Sequence, residues 1–445
     1  MAMAMATGRS GEMAAMNKNK KALRNFICAQ VLLMSTVTHG LEYDAQVRAG
    51  IGASDNIART SQNEVDETIT SVGFSFGVTG QTNKLDLNVR SQFDYVDYSD
   101  GTFDSELIGG LNGSLTFTLI DERLRWVILD TFGQTLFDPL QPARPDNRED
   151  VNFFATGPTL LLNPASRNPI ILNLRYSRMD FETRPSDNDR LSVALSIGRD
   201  ISRVSTLSLN LDATRIEFDN GLTPPVEGYE AFGRFETTGN RSTLGIDIGY
   251  NEVEFAGSIG DGILARVDYT RETSVNGTFS VSGGSQFSEQ GDIFRFYRDI
   301  TYNLTATSDI PDSPAPFQNN FFALSYSLDQ ERYSIVTSVD WNQEDYKDGQ
   351  GIDRDIFRSN LKFRRDVSRK IFAGANIGFL RREFKYLDRR DDDLILGVNL
   401  GYRFSAGFDT SIEYHHFQRN SVTPLADFTE NRAFIRFSYT PVWSR

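Results

Sequence analysis

Leu85-Asp86-Leu87-Asn88-Val89-Arg90-Ser91-Gln92-Phe93-Asp94-Tyr95 places leucine, valine and aromatic side chains at every second position except Ser91, with charged or amide groups at every position between. Successive side chains on an extended backbone point to opposite faces, so this stretch is a strand with one apolar and one polar face. The device recurs on both sides. Tyr43, Ala45, Val47, Ala49 and Ile51 oppose Glu42, Asp44, Gln46 and Arg48. Leu244, Ile246, Ile248 and Tyr250 oppose Asp247 and Asn251, and Leu394, Leu396, Val398, Leu400 and Tyr402 oppose Asn399 and Arg403.

The links between these segments alternate in length. Gly80 to Lys84, Asp200 to Arg203, Gly239 to Ser242, Asp329 to Arg332 and Asp366 to Arg369 read as tight turns. Asp55 to Asp66, Phe137 to Glu149, Asn220 to Gly228, Tyr346 to Asp353 and Asn420 to Glu430 are longer and polar. Short turns at one end and longer loops at the other are the arrangement of a transmembrane β-barrel with periplasmic turns and extracellular loops. A weak repeat, Arg199-Asp200-Ile201-Ser202-Arg203 against Arg365-Asp366-Val367-Ser368-Arg369, fits hairpins of one kind. The alternating segments give about 18 to 20 strands of roughly 10 to 13 residues, enough to cross a bilayer at a tilt. Ser288 to Asn319 decides the parity. Phe294, Phe296, Ile300, Tyr302 and Leu304 alternate there, yet Pro311, Pro314 and Pro316 follow, so the stretch is either a strand plus loop or a loop folded inward.

Composition is consistent with this reading. Hydrophobic residues make up 39 % of 445, with 33 Phe and 16 Tyr, and mean hydropathy is −0.37. Apart from the N-terminus, no apolar run approaches the roughly 18 residues of a membrane helix; Trp126 to Leu129 is among the longest. A barrel escapes that test because its strands alternate. The net charge of −14 argues against nucleic acid as a partner, since phosphates require a basic surface. Cys28 is the single cysteine and excludes an internal disulfide.

Residues 1–40 read as an upstream extension and a secretory signal: Lys18, Lys20, Lys21 and Arg24, then the apolar stretch Phe26 to Val37, then Thr38-His39-Gly40. Several methionines up to Met16 offer alternative starts. Asn25-Phe26-Ile27 lacks the small residues that precede a lipidated cysteine, so Cys28 is not read as a lipid anchor. Residues 41–445 form the barrel. A soluble sandwich or propeller shares the alternation; the export signal, strand length and loop asymmetry favour the membrane.

Four constellations invite a chemical reading. Gly73-Phe74-Ser75-Phe76-Gly77 matches the nucleophile elbow, which needs a strand-to-helix turn; here it lies inside a strand. His415 and His416 are adjacent and face opposite sides of a strand, so only one can serve any site. Asp345, Asp348, Asp353 and Asp355, and Asp391 to Asp393, are acidic clusters of the kind calcium uses, but the EF-hand spacing fails. They read as solvated loops bridging lipopolysaccharide. Arg364 and Arg365, Arg381 and Arg382, and Arg389 and Arg390 read as clamps between strands and anchors for lipid headgroups, with lumen rows that set ion preference as the alternative. The chain is therefore expected not to be an enzyme, with no catalytic, cofactor or metal site.

The element Gly50-Ile51-Gly52-Ala53-Ser54-Asp55-Asn56-Ile57, many hairpins, and the closing Arg436-Phe437-Ser438-Tyr439-Thr440-Pro441 resemble the type-2 family of outer-membrane β-barrel porins, some associated with exopolysaccharide production and PEP-CTERM protein sorting. The resemblance spans residues 41–445. It implies a bacterial outer-membrane location and exopolysaccharide export, and carries no catalytic motif. The last strand, with Ala433, Ile435, Phe437, Tyr439 and Trp443 on one face, resembles the aromatic-capped strands that the barrel-assembly machinery recognises.

A barrel this wide encloses more space than its side chains fill. Arg48, Arg90, Asp94, Asp247 and Arg403 are the candidate lumen-facing residues, and outer-membrane lipid and lipopolysaccharide are the expected surroundings. Lumen Tyr or Trp would favour a polysaccharide cargo; charged rows without them would favour small ions. A plugged structural or adhesion barrel, and a barrel hydrolase built on His415 or His416, are the alternatives.

Overall fold

A computed structural model describes residues 41–164, 166–296, 310, 313–346, 353–405 and 407–441. The first ten strands are β1 (Leu41–Ser54), β2 (Glu67–Gln81), β3 (Leu85–Tyr98), β4 (Glu106–Ile120), β5 (Leu124–Leu136), β6 (Arg148–Leu162), β7 (Ile170–Phe181), β8 (Asn188–Asp200), β9 (Ser205–Phe218) and β10 (Val226–Thr238). Next come β11 (Ser242–Phe255), β12 (Ser258–Ser274), β13 (Gly277–Ser288), helix α1 (Gln290–Phe296), β14 (Phe317–Gln330) and β15 (Tyr333–Asp345). β16 (Arg354–Asp366), β17 (Ile371–Phe384), β18 (Arg389–Ser405), β19 (Phe408–Ser421) and β20 (Phe428–Tyr439) complete the set.

Each strand pairs antiparallel with the next, and β20 returns to β1, with Val47–Ser54 against Arg432–Tyr439, so the 20-stranded sheet closes on itself. Closure removes the unpaired strand edges that lipid cannot satisfy. The strands run from 12 to 17 residues, longer than expected from the alternation, because polar residues at the loop end continue the ladder beyond the apolar part.

Register carries face identity around the barrel. Asp94 lies opposite Gly73, Gly73 opposite Arg48, and Arg48 opposite Ser438, so these residues share the inner face. Their chain neighbours share the outer one. There Val72, Ile248, Ile263, Leu400 and Ile412 are between 59 % and 73 % exposed, whereas Arg48, Asp94 and Asp247 are at most 7 % exposed. Such extensive apolar exposure is stable only against lipid. Tyrosines follow suit: Tyr43, Tyr269, Tyr326, Tyr402 and Tyr439 ring the outer face towards the short turns, and Tyr95, Tyr229 and Tyr250 with Trp341 towards the loops. Two aromatic belts are the signature of two membrane interfaces. This is the architecture of an outer-membrane β-barrel.

Turns and loops segregate as the sequence predicts, except at the two-residue β11–β12 turn (256–257) on the loop side and the seven-residue β6–β7 link (163–169) on the turn side. The even-to-odd connections include residues 82–84, 239–241, 275–276 and 331–332, and the odd-to-even ones include 55–66, 137–147 and 289–316. Residues 1–40, the expected export signal, lie outside the described residues, as do Trp443 and Asp348.

The lipid-facing assignment has a direct test. Ile248→Arg is expected to cost about 2–4 kcal/mol if near the bilayer midplane, read from denaturant unfolding in lipid vesicles; a cost near zero contradicts the assignment.

Candidate functional site: the lumen wall and its crossed mouth

The inner face is laid out as ion-paired clusters. Arg48 on β1 meets Asp94 on β3 at 3.1 Å and donates to Ser75 on β2 at 3.2 Å. Arg436 on β20 lies 3.9 Å from Asp94 and 3.2 Å from Glu413 on β19. The barrel closure is thus bridged from β3 to β19.

Asp247 belongs to a separate cluster on β10–β12, held at 3.0 Å by both Arg234 and Arg266. Arg234 continues to Asp268 at 3.1 Å, and Arg266 to Glu230 at 3.3 Å. Arg403 sits near the short turns, paired to Asp366 at 2.7 Å. Arg90 is exposed on the inner face of β3 and forms no ion pair with a described residue. The five candidates therefore do not converge; only Arg48 and Asp94 touch. Arg234, Arg266, Arg436 and Glu413 are equally part of the wall, and only the register reveals them.

Glycines opposite the long side chains let them lie flat against the wall. A Cβ on Gly73 would fall 1.9 Å from Asp94 Oδ1, and one on Gly245 would fall 2.5 Å from an Arg234 guanidinium nitrogen and 2.6 Å from Asp268 Oδ1. Gly245→Val is expected to push Arg234 off Asp268 and alter ion selectivity, measured as the reversal potential in a salt gradient; an unchanged potential with a folded barrel contradicts the notch.

At the loop end, segments cross the opening. Glu289 accepts from the N–H groups of Gly291 and Asp292, both at 2.8 Å, which starts α1. Arg190 on β8 pairs with Glu289 and, at 3.3 Å, with Asp292. Ile293 packs among Ile216, Val226, Val253 and Phe287. Phe294 and Ile310 pack among Val151, Phe153, Met179 and Phe181 on β6 and β7. Ile310 N–H donates to Thr135 on β5 at 3.3 Å. The chain after β13 therefore reaches far around the barrel to β5–β8: of the two expectations for Ser288 to Asn319, the inward-folded loop is the observed one. Ile300, Tyr302 and Leu304 lie outside the described residues.

Two more loops join it. Carbonyls of the β5–β6 loop accept from the far wall: Pro139 from Arg382 at 3.4 Å and Leu140 from Arg389 at 2.5 Å. Arg59 in the β1–β2 loop donates to the Ala143 carbonyl of the β5–β6 loop at 2.8 Å and pairs with Glu430 at 2.8 Å. Burial pushes the Arg59 guanidinium below its usual range, and the Glu430 carboxylate opposes the shift. An arginine in this setting is held by geometry, with Phe417 and Phe428 rings 4.8 and 5.3 Å from its Cζ.

The other constellations resolve structurally. Gly73 to Gly77 lie within β2, and Ser75 accepts from Arg48. His415 lies 3.8 Å from Glu413, while the Ser411 hydroxyl donates to Glu413 at 2.9 Å, so serine and histidine share a carboxylate without bonding each other. His416 bonds Asn431 at 2.8 Å. Asp345 and Asp355 both pair with Lys385, at 2.8 and 3.2 Å. Arg381 pairs with Asp392 at 2.6 Å, Arg382 with Asp393 at 2.5 Å and Arg389 with Asp391 at 2.9 Å, clamping β17 to β18 and bracing β18 itself. Among the described residues no group of three His, Cys, Asp or Glu side chains converges as a metal site.

No protein-family model and no curated protein matches the chain. Solved structures similar to it include a ferric enterobactin receptor of Pseudomonas aeruginosa, at 9 % identity and TM-score 0.44, covering 91 % of this chain and 81 % of that one. The siderophore receptor PirA of Acinetobacter baumannii aligns at 9 % identity and TM-score 0.45, covering 92 % and 81 %. OmpT, an outer membrane protein of Vibrio cholerae, aligns as a loop-deletion mutant at 11 % identity and TM-score 0.32, covering 90 % and 99 %. At such identities and scores, function has to be read from the chain's own lumen.

Proposed function

We propose that the chain is a porin-like channel of the bacterial outer membrane that passes small charged solutes, narrowed at its loop end by the β1–β2, β5–β6 and β13–β14 loops. The observation that carries this is the chemistry of the inner face. Its rows are charged, Tyr98 is the one inward tyrosine among the described strands, and Trp126 and Trp341 face outward. Several inward phenylalanines are covered by guanidinium groups. Arg266 lies 4.6 Å over Phe232, Arg403 5.1 Å and Arg364 4.8 Å over Phe372, and Arg436 5.7 Å over Phe434. Sugar rings stack on bare aromatic faces, and these faces are taken.

Exopolysaccharide export rests on the type-2 porin resemblance alone and gains no support from this wall. Residues 1–40 serve as upstream extension and export signal, and the last strand as the assembly signal. Planar-bilayer recording of the purified mature protein tests the reading. Salt-dependent, ion-selective conductance that neutral oligosaccharides leave unblocked is expected; a lumen blocked by oligosaccharide at micromolar concentration, or no conductance even with the β13–β14 loop removed, overturns it.

A further inference from the structure

The Arg-Asp-aliphatic-Ser-Arg repeat is one structure used twice. Arg199 to Arg203 lead β8 into its turn, and Arg365 to Arg369 lead β16 into its own. In the first, Ser202 donates its N–H to the Ser205 carbonyl at 3.2 Å, and its hydroxyl accepts from the Val204 N–H at 3.1 Å. In the second, Ser368 donates to the Ile371 carbonyl at 3.1 Å, and its hydroxyl accepts from the Lys370 and Ile371 N–H groups at 3.2 and 3.0 Å. Each aspartate donates its N–H to an arginine carbonyl on the preceding turn, Asp200 to Arg167 at 2.8 Å and Asp366 to Arg332 at 2.7 Å. The repeat holds two arginines, and the fold adds a third to each. One triad is Arg167, Arg199 and Arg203; the other is Arg332, Arg365 and Arg369.

Neither triad is neutralised by the protein. All six arginines are exposed, and none forms an ion pair with a described residue. The aspartates within the motifs are engaged on the lumen side: Asp200 accepts from the Thr206 hydroxyl at 2.9 Å, and Asp366 pairs with Arg403 at 2.7 Å. Glu331 is the one further carboxylate among the described residues of these turns, and it too forms no ion pair with a described residue. The loop end of the same outer face is built differently. There Arg178, Arg215, Arg381 and Arg390 each pair with an aspartate or glutamate, at 2.8, 2.9, 2.6 and 3.6 Å.

Register fixes the depth. Arg199 lies opposite Leu207 and Arg365 opposite Tyr333, both on the lipid-facing side. Ile201 and Val367 stand at the turn tips, 55 % and 61 % exposed. Each turn therefore presents an aliphatic side chain flanked by guanidinium groups, at the end of the barrel where short turns meet the periplasmic leaflet.

We propose that the two triads are equivalent binding sites for an anionic glycerophospholipid of the periplasmic leaflet, its phosphodiester held by the arginines and its upper acyl groups against the aliphatic tip. Guanidinium groups match phosphate oxygens in pairs. Charge complementarity selects the class: three uncompensated cations favour a lipid of net negative charge over a zwitterionic one, whose ammonium they would repel. A cation beside an anionic membrane surface strengthens attachment about five-fold, so a triad supplies about a hundred-fold. The sites lie outside the lumen, and the inference stands whatever the channel passes.

The test is native mass spectrometry of the full mature barrel released from micelles doped with equal amounts of phosphatidylglycerol and phosphatidylethanolamine. Two tightly retained phosphatidylglycerol molecules per barrel are expected. The combined Arg167→Gln, Arg199→Gln and Arg203→Gln variant should retain one, with affinity at the altered site about a hundred-fold lower. Adding Arg332→Gln, Arg365→Gln and Arg369→Gln should remove the second. Lysine at the same six positions should keep both lipids, whereas Arg215→Gln, whose guanidinium is already paired at the loop end, should change nothing. Equal retention of phosphatidylethanolamine, or an unchanged count in the six-fold glutamine variant, overturns the sites. Release of both lipids by excess inorganic phosphate would assign the triads to a free anion and overturn the lipid. The choice between the two lipids is read on the parent protein, so it decides the proposal even where a variant fails to fold.

Discussion

Replacing residues 289–316 with a short Gly-Ser linker is expected to raise the single-channel conductance of the purified barrel several-fold. Ser288 and Phe317 are register partners at the ends of β13 and β14, so a tight turn can join them without disturbing either strand. The replaced segment is the one that reaches β5–β8, anchored by Arg190 on Glu289 and Asp292 and by the burial of Ile293, Phe294 and Ile310. Removing it takes away the packing of Ile293, Phe294 and Ile310 across the loop end while leaving every wall strand in place. Arg190→Gln should give a smaller increase with more frequent transitions between levels, because the apolar anchors remain when the ion pair goes. Equal conductance in the parent and the linker variant would show that the loop does not obstruct the path.

Arg48→Ala should be the most damaging single change on the inner wall, at about 3 kcal/mol, towards the low end for a broken buried pair because lumen water can enter. Asp94, 1 % exposed, would keep Arg436 at 3.9 Å as its cation and the Gln92 amide at 3.5 Å. The pair also ties β1 to β3 near the closure, where β1 and β20 share eight residue pairs against fourteen for β1 and β2. The coupling is measured by a cycle in which Arg48→Met, Asp94→Leu and the double variant are unfolded by denaturant in lipid. The double variant should recover most of the loss of either single one; additive losses would mean that the two charges stabilise the wall independently.

Much of the architecture was legible because a two-residue period is a local property. The outer rows at Leu85 to Tyr95, Leu244 to Tyr250 and Leu394 to Tyr402, the segregation of turns from loops, and the outward Ala433-Ile435-Phe437-Tyr439 row needed no partner to be recognised. What depends on which strand meets which was not legible. Arg48 and Asp94 were both read as facing inward, but only the register places them in contact across Gly73. Arg234 and Arg266 went unread because nothing within β10 or β12 announces that Asp247 lies between them.

The inward course of the β13–β14 loop is non-local in the same way. Its alternating Phe294 and Phe296 imitate a strand, while its apolar partners on β6 and β7 lie more than a hundred residues away. The sequence reading passed over Gly157 and Pro158; their missing ladder partners on β7, and the Arg175 guanidinium that donates to the Pro158 carbonyl, appear only once β7 is laid beside β6.

The most direct measurement is fluorescence quenching of Trp126 and Trp341 in a Trp443→Phe background, with the barrel reconstituted into lipids brominated on their acyl chains. Both tryptophans lie on the outer face. Strong quenching by brominated lipid, with little added by aqueous iodide, is the expected result. Indifference to brominated lipid, or a mature chain that stays dispersed in buffer without detergent, would contradict a barrel whose apolar rows face the membrane and whose charged rows surround water.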